Sequence, residues 1–249
     1  MTPEELYLQI RLGLPRDAPG DDASTLRALR MLGPLPPAPR ILDLACGPGP
    51  QTVLLARETG GHVIAVDLHR PYLEALRRRL RQEGLEDRVQ VLQAQVTELN
   101  FSNLPVDLIW AEGPAHVLGL RVALLQWRDW LKPRGGLATS ELSWLRPDPP
   151  EEVRAFWCER QPGGVRTLEE NLAMMDEAGY QVVGHFVLPP SSWWDEYYGP
   201  LERRLREARR QVQDRPDLLW TLDEGLAEIE LYRRHGDSYG YVFYVLRKA

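Results

Sequence analysis

The chain of 249 residues has little cysteine, little lysine and no long apolar run. Its two cysteines, Cys46 and Cys158, make no disulfide framework, so burial of apolar surface must hold the fold. No stretch approaches the roughly 20 apolar residues of a bilayer-spanning helix. The start carries Glu4 and Glu5 and lacks the basic-then-apolar form of a signal peptide. A soluble cytoplasmic protein is expected, with no membrane partner. Positive charge is not in excess: the formal net charge is −6. Phosphate backbones call for a basic surface, so nucleic acid is not the expected partner. Lys132 and Lys248 are the only lysines, and the remaining positive charge is arginine. No His/Cys/Asp spacing suits a metal, and none is expected. Repeats and low-complexity segments are absent too.

What is there suits one α/β unit with extra cover. Hydrophobic residues make up 43% and charged residues 27%, enough to bury a core. Short helices are expected over 4–13 and 23–32. The stretch 33–39 holds four prolines and cannot be a helix interior; it reads as a stiff link. Apolar runs then predict strands at 40–44, 62–66, 88–93, 106–110, 137–142, 181–188 and 239–247. Helical spacing falls between them at 52–59, 71–83, 118–131, 149–157 and 167–177. Residues 191–236 read as mostly helical. Near-continuous apolar strands alternating with helices suit a parallel sheet covered on both faces. The expected fold is a Rossmann-like three-layer sandwich with a mostly parallel seven-stranded sheet. Residues 1–39 would be an N-terminal helical cap and link. Residues 40–249 would be the main domain, with 191–236 inserted between the last two strands.

The first strand runs into Asp43–Leu44–Ala45–Cys46–Gly47–Pro48–Gly49, and a helix opens near Thr52. Ligands of open parallel sheets bind beyond the carboxyl ends of the strands, where small residues let backbone approach. Asp67 closes the second strand, 20 residues after Gly47. A carboxylate there can accept from both hydroxyls of a ribose. An NAD fingerprint would carry a third glycine near Thr52, and Pro48 and Pro50 stiffen this loop instead. Asp43 would also repel a pyrophosphate, and suits a cationic amino-acid end better.

These residues resemble a known family. The segment "ILDLACGPGPQT" resembles motif I of the class I S-adenosylmethionine-dependent methyltransferases, and "VIAVDLHRPYLEAL" resembles their following acidic motif. Further segments resemble one bacterial subgroup without a settled substrate: "GLPRDAPGDDASTLRAL", "VDLIWAEGPAHVLGL", "LKPRGGLATSELSW", "LPPSSWWDEYYGPLERR" and "YGYVFYVLRK". Two positions depart from the family pattern. Ala45 stands at the first glycine, and Gln95 stands where many members have an acid near the adenine. The resemblance implies S-adenosylmethionine as cofactor, S-adenosylhomocysteine as product and a methyl acceptor left open. It implies that Asp43, Gly47, Asp67 and Leu68 line the cofactor, together with Gln95, Val96 and Glu112. Ala45, Gly49, Gln51 and Thr52 complete the candidate cofactor loop.

Methyl transfer is an in-line displacement that needs alignment and exclusion of water, with a base only where the acceptor must lose a proton. Glu112 and His116, just after the fourth strand, are the catalytic candidates, against plain helix-start and surface roles. Trp144, Trp193, Trp194, Tyr198 and Tyr239 form an aromatic cover that is either a lid over an acceptor or packing of helices on the sheet. Tyr7 and Arg16 belong to a segment, 7–22, read as a second lid edge or a simple brace. The expected reaction is methyl transfer to a small molecule, by a monomer or homodimer. The alternatives are an adenosyl-binding protein without turnover and, with less support, an NAD-dependent oxidoreductase.

Overall fold

The computed structural model describes residues 1–161 and 163–249. Helix α1 (Pro3–Arg11) starts on a Thr2–Glu5 capping box, and α2 (Asp22–Leu32) on Asp21, whose side chain accepts from the Ser24 amide. Then come β1 (Arg40–Leu44), α3 (Pro50–Thr59), β2 (His62–Asp67), α4 (Arg70–Glu83), β3 (Val89–Gln93) and β4 (Val106–Glu112). Helices α5 (Ala115–Leu118) and α6 (Leu120–Trp130) lead to the long strand β5 (Leu131–Trp144). The chain continues with α7 (Glu151–Arg160), β6 (Arg166–Thr167), α8 (Leu168–Glu177) and β7 (Tyr180–Val187). It ends with α9 (Pro190–Trp193), a π-helical turn at Trp194–Tyr198, α10 (Gly199–Gln211), α11 (Pro216–His235) and β8 (Tyr239–Lys248).

Among the described residues the sheet has eight strands, in the order β3-β2-β1-β4-β5-β8-β7, with β6 paired to the far end of β5. That corrects the expected seven: β6 is two residues long and carries no readable alternation. Strands β1 to β6 pair in parallel, while β8 runs antiparallel to both β5 and β7. Two more expectations change. The helix expected over 118–131 is split at Gly119, whose φ of +80° breaks the α5 path. The strand expected at 137–142 starts at Leu131 and passes through Pro133 and Gly135, with an irregular register opposite Val106–Leu108.

Period-two alternation decides the layers. On β1, Ile41 faces a cluster with α2, α3 and α4, through Ala28, Val53, Leu73 and Leu76. Leu42 and Leu44 face the opposite cluster with α6 and α8, through Leu124, Trp127 and Met175. Helix α2 therefore belongs to a sheet layer. Helix α1 instead joins a third cluster with α9, α10 and α11, centred on Trp193, Tyr198 and Tyr232, at the carboxyl edge of the sheet. Among the described residues, no helix is long and apolar enough to cross a membrane.

Candidate active site

The strand order reverses between β1 and β4, and ligand clefts of open α/β sheets lie at that switch point. A cleft of about 490 Å³ opens there. The loop after β1 forms one wall. Ala45 and Gly47 both adopt positive φ, +51° and +55°. This curls the loop so that the Cys46 amide donates to the Val66 carbonyl at 2.9 Å, and the Gly47 amide donates to Asp67 Oδ2 at 2.9 Å. The other oxygen of Asp67 accepts from the His69 amide at 2.8 Å. Asp67 is 6% exposed; burial pushes its carboxyl up while these two amide bonds pull it back down.

Asp43 lies behind this wall. It is fully buried and does not line the cleft. Thr52 Oγ1 donates to its Oδ2 at 2.5 Å, and Gln51 Nε2 approaches the same oxygen at 3.4 Å. Burial raises its carboxyl to about 8, and its Oδ1 has no partner. Asp43 thus ties the first turn of α3 to β1, and the expectation that it meets a cationic ligand end is not what its placement provides. Thr52 and Gly49 are likewise off the wall. Ala45, Gly47 and Gln51 line it, as do Leu68, Gln95 and Val96 across from them.

Glu112 ends β4 at the cleft and is gripped from three sides. Trp110 Nε1 donates to Oε1 at 2.8 Å, Thr25 Oγ1 to the same oxygen at 3.1 Å, and Arg16 to Oε2 at 3.1 Å. Arg16 also pairs with Asp22 at 2.7 Å and is 4% exposed. A proton taken up by Glu112 would cost this ion pair, so its geometry suits holding residues 16–25 over the cleft better than base chemistry. Next to it, His116 Nδ1 lies 2.6 Å from the Gly113 carbonyl. A carbonyl only accepts, so Nδ1 carries the proton and Nε2 is the lone-pair nitrogen. His116 lines both the cleft and a side cavity of about 30 Å³ behind Gly113 and Tyr241. Glu141 faces that side cavity; burial raises its carboxyl to about 8.

The far end of the cleft is aromatic. Of the expected cover, Tyr7 and Trp193 line it. Trp144, Trp194, Tyr198 and Tyr239 do not. Trp144 sits opposite Tyr239 at the end of the β5–β8 ladder, Trp194 packs beside Tyr198, Tyr232 and Arg233, and Tyr198 is fully buried. In their place stand Trp157, Tyr197 and Tyr241, with Arg11, Asp17 and Glu228. The strand alternation of β8 could have found Tyr241, two residues from Tyr239. Nothing in the helical pattern of α11 marks Glu228.

Residues 41–135 match the family model described as a methyltransferase domain. Methyltransferase GfsG of Streptomyces halstedii is 36% identical over 104 residues, which cover 41% of this chain and 37% of GfsG. The chain spans about half the length of the curated relatives it matches. Two solved structures superpose on nearly the whole chain. Both are SAM-dependent methyltransferases in complex with S-adenosyl-L-homocysteine. The Geobacter sulfurreducens structure has a TM-score of 0.84 at 20% identity, covering 98% of each chain. The Thiobacillus denitrificans structure has 0.84 at 21% identity, covering 100% of each. The chain has the class I methyltransferase fold, and its residues 41–135 match the methyltransferase domain model.

Proposed function

We propose that the chain is an S-adenosylmethionine-dependent methyltransferase acting on a small-molecule acceptor, with S-adenosylhomocysteine as product. Asp67 carries the reading. Its carboxylate closes β2 on the cleft wall, and two backbone amides brace it. Its remaining lone pairs suit the two vicinal hydroxyls of an adenosine ribose. Ala45 and Gly47 leave backbone open to the ligand. Leu68, Val96 and Gln95 offer an apolar slot with an amide carbonyl that can accept from an adenine amino group.

When bound, this cofactor supplies an activated methyl carbon. The chain's work is to align the acceptor and exclude water. Glu112 is the positioning residue that fixes Arg16 and the 16–25 segment over the site. His116 Nε2 is the group that takes a proton where the acceptor must lose one. Trp193, Tyr197 and Tyr241 form the acceptor wall. We further read residues 1–39 as a cap and link in which α1 covers the carboxyl edge while α2 packs on the sheet, and 40–249 as the catalytic domain with the 191–236 insertion. We place the protein in the cytoplasm, where Cys46 and Cys158 stay reduced.

Calorimetry with S-adenosylmethionine and S-adenosylhomocysteine tests the reading. Wild type is expected to bind both, and Asp67→Ala neither. A wild type that binds neither overturns it. Labelled S-adenosylmethionine with a metabolite extract tests the acceptor class. Label found only in macromolecules would overturn the small-molecule part, and binding without any transfer would favour a protein that holds the ligand without turnover.

A further inference from the structure

Among the described residues, two cleft carboxylates have no ion-pair partner: Asp67, which two backbone amides hold, and Glu228. Arg16 is held by Glu112 and Asp22. Arg11 is held by Asp17, through its carboxylate at 3.1 Å and its carbonyl at 3.0 Å, and its guanidinium lies 4.3 Å over the Tyr7 ring. Glu228, on α11, has no such partner. Among the described residues its one hydrogen bond comes from the Tyr198 hydroxyl, at 2.8 Å to Oε1. Its other oxygen is free at the aromatic end of the cleft. Glu228 also lines a second cavity of about 270 Å³, so space lies on both sides of it.

The surroundings select the ligand. Trp193 and Tyr241 lie 5.5 Å apart at the cleft wall, and Tyr197 stands beside Tyr198 at 5.1 Å. Ring faces attract a cation, and a half-buried carboxylate attracts it more strongly than in water. The negative charge of Glu228 adds to burial in pushing up the phenols of both Tyr197 and Tyr241. An anionic ligand would have to use Arg11. Its guanidinium is already neutralised by Asp17, and its free Nε has no exposed surface.

We propose that the acceptor is an amine, recognised as its ammonium ion against Glu228 with its apolar body on the rings of Trp193, Tyr197 and Tyr241; it gives up one proton to His116 Nε2 on the same cleft, and the freed lone pair then forms the C–N bond as the S–CH3 bond breaks and S-adenosylhomocysteine leaves. Calling it the acceptor rests on the methyltransferase reading; the amine site itself rests on the cleft alone. Octylamine, octanol and octanoate are the probes, titrated into the full chain and followed by tryptophan fluorescence and calorimetry. Octylamine is expected to bind at least tenfold more tightly than octanoate, with octanol between them. Shortening the amine to propylamine weakens binding by about threefold to fourfold per methylene that leaves the wall. Glu228→Gln keeps an acceptor for Tyr198 and removes the charge. It should weaken octylamine at least tenfold and leave S-adenosylhomocysteine binding within twofold. Octanoate binding as tightly as octylamine overturns the proposal, as does a folded Glu228→Gln protein that binds octylamine like wild type. The order of the three probes on wild type decides the matter even if the variant does not fold. Loss of S-adenosylhomocysteine binding in wild type would instead sink the methyltransferase reading, and leaves the amine result readable by itself.

Discussion

At the residue scale, Glu141 and Asp43 are the two carboxyls that burial raises to about 8. Below their ordinary values of 4.5 and 3.8, both groups are protonated whether the chain is folded or not. Above those values the unfolded chain ionises while the folded chain keeps its protons. Stability therefore falls as pH rises toward 8 and levels off beyond it. Urea unfolding at pH 5 and pH 8 should show this loss in wild type. Glu141→Gln should lose roughly half as much, because Asp43 remains; an unchanged slope would mean that Glu141 titrates normally. Gly49 offers a second test. Its φ is +76°, and an added Cβ would lie 2.3 Å from Leu76 Cδ1. Gly49→Ala should cost about 2 kcal/mol or more, read as a lower urea midpoint. The glycines and Asp67 were legible in the sequence because turn chemistry and strand ends are local. Glu228 and Arg11 were not, because their meaning depends on what stands opposite: Arg11 is taken by Asp17, while Glu228, on a helix more than 200 residues away, meets only the Tyr198 hydroxyl.

At the element scale, the segment between α1 and α2 is stitched to the rest of the molecule. Arg16 reaches Glu112 on β4, and the Gly20 amide donates to the Ser192 carbonyl on α9 at 3.2 Å. Asp21, which caps α2, also takes a bond from the Ser192 hydroxyl. Arg16→Ala would leave Glu112 charged at 11% side-chain exposure without its cation. Breaking such a pair typically costs about 3 kcal/mol. Limited proteolysis should then cut between residues 12 and 22 well before wild type is cut, and an identical cleavage pattern would show that the segment is held by other contacts. Element positions were mostly readable, since the strands of the parallel sheet are short unbroken apolar runs. The start of β5 was not. Pro133 and the Gly135–Gly136 pair break the local pattern, and residues 132–135 do have no partner in β4 or β8, with Arg134 at φ +60°; yet Leu131 pairs with Val106 before this break and pairing resumes at Gly136. Pairing on either side of this irregularity joins the two pieces into one strand, which no local pattern shows.

At the scale of the whole molecule, the cofactor reading predicts linkage between binding and unfolding. S-adenosylhomocysteine at a hundred times its Kd should add about 2.7 kcal/mol of stability. For a chain of this size that raises Tm by roughly 5–10 °C. Asp67→Ala should show no such rise, and a rise equal to wild type would remove Asp67 from the ligand's contacts.

The sequence by itself determined the layered α/β fold, the glycine loop and its acidic partner, because each rests on periodicity or turn chemistry within some 25 residues. Which side chains share the cleft was settled by folding. Asp43 turned inward to Thr52, Glu112 was taken by Arg16 and Thr25, and four of the five rings of the expected aromatic cover went into packing. Those outcomes follow from burial, which forces each polar group to find a partner and each ring to find a wall, and partners distant in the chain meet only when it folds.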